Sequence, residues 1–127
     1  MDTTALAQER FISITSFKRN GTAVSTPVWC ANENGSLLVY SERDSGKVKR
    51  IRHDGHVRIA PCSARGRLRG PAVDADARIV EDSAEVETLL ARKYGWMWRG
   101  YTRLMAVVQR IRRQAPPPTV TIRIIPR

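Results

Sequence analysis

Three short segments rich in β-branched and aromatic residues, separated by tight-turn signals, occupy the first third of this chain and commit it to antiparallel β structure. Phe11-Ile12-Ser13-Ile14-Thr15-Ser16-Phe17 is the first. Lys18-Arg19-Asn20-Gly21 carries the Asn-Gly hairpin signal, Thr22 to Cys30 resumes the strand, Asn32-Glu33-Asn34-Gly35 makes a second turn, and Ser36 to Ser41 is a third strand. Hairpin-linked strands pair antiparallel with their neighbours. Pro27 removes a ladder donor from the second strand, so that strand is expected at a sheet edge or bulged there.

Helical patterns interrupt the strands without ending them. Thr3 to Arg10 reads as a short helix with Thr4 as its cap, and Ser45 to His53 as another, stopped by Asp54-Gly55. His56 to Ser63 is a fourth strand. After the Arg65-Gly66-Arg67 turn, a fifth alternates Val73, Ala75, Ala77 and Ile79 against Asp74, Asp76 and Arg78, which predicts one wet face. Asp82 or Ser83 can cap the next helix, whose Val86, Leu89, Leu90 and Tyr94 share a face. Gly95 breaks it. Trp96 to Arg113 continues as a helix with Tyr101, Leu104, Met105, Val108 and Ile111 on one stripe, and Pro116-Pro117-Pro118 ends it before a last strand, Thr119 to Ile125. The expected fold is mainly β, a six-stranded antiparallel barrel, with residues 1–127 as a single domain and a helical insertion at about 83–113.

At 127 residues and 42% hydrophobic content, the chain can bury one core. No apolar run approaches the ~20 residues that cross a bilayer. Met1-Asp2-Thr3-Thr4 lacks the layout of a secretion signal, so the expected location is the cytoplasm. Cys30 and Cys62 lack CxxC spacing and read as buried free thiols, not as a metal site.

The net charge of +10 is divided unevenly: residues 43–69 hold nine cations and two acids, residues 70–87 one and six, and residues 88–127 nine and none. In the first basic block, Ser45-Gly46-Lys47-Val48-Lys49-Arg50-Ile51-Arg52 follows a strand and opens a helix. That arrangement aims free backbone N–H groups and the positive end of the helix dipole at one spot, which suits a phosphate. A solvated basic helix is the plainer alternative for the same residues.

Thr26-Pro27-Val28-Trp29, Ser45 to Ile51, Ala60-Pro61-Cys62 and Arg92-Lys93-Tyr94-Gly95-Trp96, in that order, resemble the split β-barrel flavin and deazaflavin oxidoreductases of the FMN-binding type. Within them the chain is most similar to the pyridoxamine-phosphate-oxidase-like (PPOX class) probable F420-dependent enzymes, and the likeness runs from about Phe11 to Ile125. The resemblance implies a homodimer with each cofactor in a groove at the subunit interface. The cofactor implied is coenzyme F420, with FMN as the alternative. By position, Lys47 is the phosphate lysine and Arg50 a second phosphate contact, with Val48 between them and Lys49 facing elsewhere. Thr26, Pro27, Val28 and Trp29 would border the ring from the second strand, Tyr40 and Ser41 from the third, and Ala60 and Pro61 from the fourth. Several neighbouring subgroups carry a polar residue where this chain has Pro27 or Trp29.

The implied chemistry asks little of the side chains. Hydride transfer belongs to the cofactor, while the protein binds, orients and excludes water. No Ser/His/Asp or paired-carboxylate arrangement is present to suggest hydrolysis. His53 and His56 are separated by the Asp54-Gly55 break, so they do not share a face as metal ligands would. Tyr94 is a candidate proton donor. The Trp96–Arg113 helix reads first as a lid or pocket wall and second as an interfacial membrane helix. The positive charge alone would allow nucleic-acid binding, but no helix-turn-helix, zinc or RNP signature accompanies it. A non-catalytic F420 carrier of the same fold is a further alternative.

Overall fold

The computed structural model describes residues 3–127 and the side chains of residues 5–127; Thr4's capping side chain and the extreme N-terminus lie outside the described residues. The elements run α1 (Thr3–Ala7), β1 (Phe11–Phe17), β2 (Ala23–Val28), β3 (Ala31–Glu33), β4 (Ser36–Glu42), α2 (Gly46–His53), β5 (His56–Cys62), β6 (Val73–Val80), α3 (Ala84–Tyr94), α4 (Trp96–Ile111) and β7 (Thr119–Pro126). All strands join one antiparallel sheet in the order β2-β1-β5-β6-β7-β4-β3, curled into a half-barrel. β2 is an edge strand, as Pro27 requires.

The sheet has seven strands, where the turn and strand signals predict six. The additional one is β3, whose Glu33 pairs with Ser36 across a two-residue loop. Asn34 and Gly35 both have positive φ, 48° and 85°, the geometry of the hairpin turn whose twist matches that of paired strands. Only these two residues turn. Three residues are too few to display alternation, and Asn and Glu are poor strand formers, so the local signal read as loop.

The concave face is filled by Ile12, Ile14, Leu37, Val39, Val57, Ile59, Val120, Ile122 and Ile124. Val48 and Ile51 of α2 complete the same cluster. They lie three apart on one helix face, so a helix this short can plug the barrel with just two apolar side chains. Ser45 caps α2: its Oγ accepts from the Val48 N–H at 3.4 Å and is held 2.9 Å from the Ser41 Oγ.

A second cluster lies on the convex side, where Ala31 and Leu38 meet Val86, Leu90, Tyr94 and Trp98. α3 therefore packs on β3 and β4. At its start, Asp82 Oδ1 accepts from the Ala84 N–H at 2.9 Å, while the Ser83 hydroxyl is engaged with Glu87 and Thr119. In α4 Trp98 is the buried residue, with Met97 packed partly buried against the same cluster.

Candidate functional site

The period of two along a strand decides which expected residues meet. Pro27 lies opposite Ser13, which lies opposite Ala60. Thr26 lies opposite Ile14, itself opposite Ile59, and Pro61 lies opposite Ile12. Directly paired residues share a face. Since Ile12, Ile14 and Ile59 are core, Thr26 and Pro61 belong to the concave row, and Pro27 and Ala60 to the convex row. The same parity separates Tyr40 from Ser41. Tyr40 packs with the convex cluster, whereas Ser41 is buried and bonded to the Ser45 cap.

Phe11, Pro27, Trp29, Tyr40, Leu90, Trp98 and Tyr101 line a cavity of about 250 Å³, which Val28, a member of the concave core, also borders. Its walls are mostly aromatic. Trp29 stacks on Tyr94 with ring centroids 4.8 Å apart and meets Tyr101 edge-on at 5.7 Å, while Tyr40 meets Trp98 edge-on at 5.2 Å. Burial raises the hydroxyl pKa of Tyr40 and, separately, of Tyr101, with Glu87 and Glu42 respectively adding to it. Both hydroxyls therefore stay protonated near neutral pH and can donate hydrogen bonds. Phe11 and Leu90 are lining residues that sequence reasoning did not single out. Phe11 shares the odd-numbered face of β1 with Ser13, and that parity was the available signal.

Tyr94 does not serve as the expected proton donor. Its hydroxyl is buried under Trp29, donates to the Arg10 carbonyl at 2.8 Å and accepts from the Cys30 N–H at 3.2 Å. Burial, followed by the neighbouring Cys30, pushes its pKa far above the ordinary tyrosine value. Lys93 works beside it, donating to the Cys30 carbonyl at 2.7 Å and the Glu9 carbonyl at 3.0 Å. The Lys93-Tyr94 pair thus pins the end of β2, and so fixes where Trp29 stands. Gly95 then turns the chain with φ +56°, a conformation that suits glycine.

The basic residues gather at the other end of β1. Arg50 Nε donates to Ser16 Oγ at 2.7 Å, and its guanidinium lies over Gly46, where a Cβ would come within 2.8 Å of Nη1. Lys49, Arg50 and His53 line a cleft of about 270 Å³ together with Phe17, Lys18 and Arg19 of the first hairpin. Lys49 therefore shares a cleft with Arg50, contrary to the expectation that it faces elsewhere; the hairpin supplies the opposite wall. Lys47 does not line this cleft. It is half-buried with no hydrogen bond or ion pair among the described residues, and burial lowers its pKa, against an opposing effect of Glu42 and with a further lowering by Arg50. A desolvated ammonium without a partner favours an incoming anion.

Phe11 and Phe17 sit on one face of β1, six residues apart. At the strand rise this separates the aromatic cavity from the cationic cleft by roughly 20 Å. Between them lie Ser13 and Thr15, the latter bonded to Ser25 at 2.7 Å. His53 lines the cleft, whereas His56 is bonded to Asp74 at 2.8 Å, and among the described residues no cluster could hold a metal ion. No described helix is long and apolar enough to cross a membrane.

The sequence matches the pyridoxamine 5'-phosphate oxidase family model over residues 3–127. The chain belongs to that family. The fold is thus a flavin-type oxidoreductase split barrel, of a kind that binds flavin-type cofactors. Similar solved structures include an F420 reductase, with 15% identity and a TM-score of 0.61, covering 97% of this chain and 91% of that one. HutZ, the heme storage protein of Vibrio cholerae, is similar at 12% identity and a TM-score of 0.66, covering 98% and 87%. General stress protein 26 of Bacillus anthracis is 21% identical with a TM-score of 0.56, covering 97% and 84%. At these identities the likeness is one of fold. No curated protein matches the chain.

Proposed function

We propose that this protein is an F420-dependent oxidoreductase that reduces a small organic substrate, acting as a cytoplasmic homodimer. The observation that carries this reading is the pairing of an aromatic cavity and a polycationic cleft near the two ends of β1, roughly 20 Å apart. A cofactor with a flat ring at one end and an anionic tail at the other fits both. FMN has one compact phosphate and would leave Lys18 and Arg19 without a role, so it is the second reading.

The chemistry of the lining residues suits such a group. Pro27, Trp29 and Tyr40 offer the ring apolar and aromatic surface, with Val28 in the strand between, and Tyr40 and Tyr101 offer hydroxyl donors. Thr26, Ser41, Ala60 and Pro61 support this surface from within the sheet. Arg50 and Lys49 line the cleft that would take the anionic portion, Lys47 offers its partly desolvated ammonium from outside that cleft, and Val48 anchors their helix in the core. Each charge-assisted contact contributes about 1.5–3 kcal/mol when shielded, and less at the open rim. When bound, the deazaflavin supplies two-electron, hydride-transfer chemistry. The chain's own part is to hold the ring against Trp29, keep water from it, and present the substrate to its open face.

Titrating the protein into F420 and following the cofactor's fluorescence tests the proposal. Micromolar binding is expected; no change with F420, together with binding of FMN, would sink it. Binding of F420 without reductase activity on a panel of quinones, enones and tetrapyrroles would favour a carrier.

A further inference from the structure

The structure assigns a second role to α4: we infer that it seats the protein on an anionic lipid surface. Trp98 faces the barrel and is buried. The outward side of the helix is apolar instead of polar, with Trp96 79%, Leu104 61%, Val107 53% and Ile111 76% exposed. At 100° per residue these four fall within an arc of about 80° that is turned away from the aromatic cavity. Gly100 lies in the same arc, and nothing stands within 4 Å of where its Cβ would be. Along one edge run Arg99, Arg103 and Arg110, within an adjacent arc of about 40°. Arg112 and Arg113 follow at the helix end.

None of these five arginines makes an ion pair among the described residues. Four acids are ion-paired elsewhere: Asp74 with His56 and Arg58, Asp76 with Arg127, Glu81 with Arg43 and Arg52, and Glu33 with Arg123. Glu42 shares a cavity with Arg112 on the inner side of the helix. Residues 88–127 contain no acid at all. No ion pair among the described residues neutralises the Arg99, Arg103 and Arg110 edge, which leaves it open to an external counter-charge. A second copy packed antiparallel, α4 to α4, would set arginine ridge beside arginine ridge, which is repulsive, and a parallel pair would leave both ridges without a counter-charge. Nucleic acid would supply phosphates but no apolar medium for Trp96 and Ile111. The headgroup region of an anionic bilayer supplies both, since an amphipathic helix lies in it with aromatic and aliphatic side chains inserted and its cations on the phosphates.

Co-sedimentation of the full chain with vesicles tests this inference. Binding is expected to vesicles of phosphatidylcholine containing one-third phosphatidylglycerol, and not to phosphatidylcholine alone. The triple variant Arg99→Gln, Arg103→Gln, Arg110→Gln should partition roughly a hundredfold more weakly. Leu104→Glu with Ile111→Glu should abolish binding, with unchanged circular dichroism because both side chains are exposed. The inference is overturned if the wild type ignores both vesicles, or binds duplex DNA and not the anionic vesicles. It is equally overturned if the glutamate pair binds like the wild type, or if that pair converts a dimer to a monomer in sedimentation, since the apolar arc would then be covered by a second copy.

Discussion

α2 and α4 are both cationic helices, yet they relate to the barrel in opposite ways. α2 has eight residues and two large apolar side chains, Val48 and Ile51, both buried in the core. α4 has sixteen residues, many of them apolar, and buries only Trp98. Apolar content therefore does not decide which helix is held. α2 is held because its two apolar residues meet the open end of a curled sheet, with Ser45 capping its start and Arg50 bonded to β1. α4 packs closely only around Trp98, and farther along Met105 and Gln109 face β4 and β7 across an open cavity with Tyr40, Glu42 and Thr119.

The comparison predicts its own tests. The largest effect should come from Ile51→Ala, with a loss of about 2–5 kcal/mol in urea denaturation, while Leu104→Ala stays within about 0.5 kcal/mol. Equal losses would erase the distinction between the helices. Lys47→Ala should weaken F420 binding by about 1.5–3 kcal/mol, tenfold or more, at nearly unchanged stability. An unaltered affinity in the fluorescence titration would remove its phosphate role.

Tyr94→Phe should cost about 1–3 kcal/mol in the same denaturation assay, because the Cys30 N–H and the Arg10 carbonyl lose their buried partner. If Tyr94 is a clamp and not an acid, the variant's turnover should keep the wild-type pH profile. The smallest effect concerns the pH dependence of stability. Burial holds the folded pKa of Lys47 below its unfolded value, so the unfolded chain binds more protons between the two, and stability rises with pH through that window. Lys47→Met should therefore be slightly more stable than the wild type near neutral pH. That advantage should shrink as the pH climbs toward the ordinary lysine value, as followed by Tm.

Most strands were legible because alternation and turn chemistry agree. Val73 to Ile79 shows its buried and exposed rows directly, and Pro27 correctly marks an edge. β3 was not legible, since its pairing comes from the Asn34-Gly35 turn that it adjoins and not from its own three residues. In the site, consecutive assignments such as Thr26 with Pro27, or Tyr40 with Ser41, conflict with the strand period, which sends neighbours to opposite faces, whereas Pro27, Val28 and Trp29 all border the cavity because β2 ends at Val28. Trp98 and Tyr101 were visible as a pocket wall. Lys18 and Arg19 were visible only as a hairpin turn, because nothing local tells that this turn faces α2. The reading of α4 as a lid or pocket wall fits Trp98 and Tyr101, whereas its outward apolar residues were not legible as exposed, because an apolar stripe records amphipathicity and not the surface that will cover it.

The position of β7 has a further consequence, for the order of events in folding. This strand, residues 119–126, lies between β6 and β4 and is the sole link between the two halves of the sheet. During synthesis, β3 and β4 pair with each other early and then wait while α2, β5, β6 and both long helices are made. The sheet can be completed only after β7 emerges, so half of β4's hydrogen-bonding edge stays open until then. Long-range pairing of this kind folds slowly and leaves intermediates with exposed edges. Replacing a core residue of β7, such as Ile122, should therefore slow refolding as well as lower stability, a difference that stopped-flow measurements can resolve.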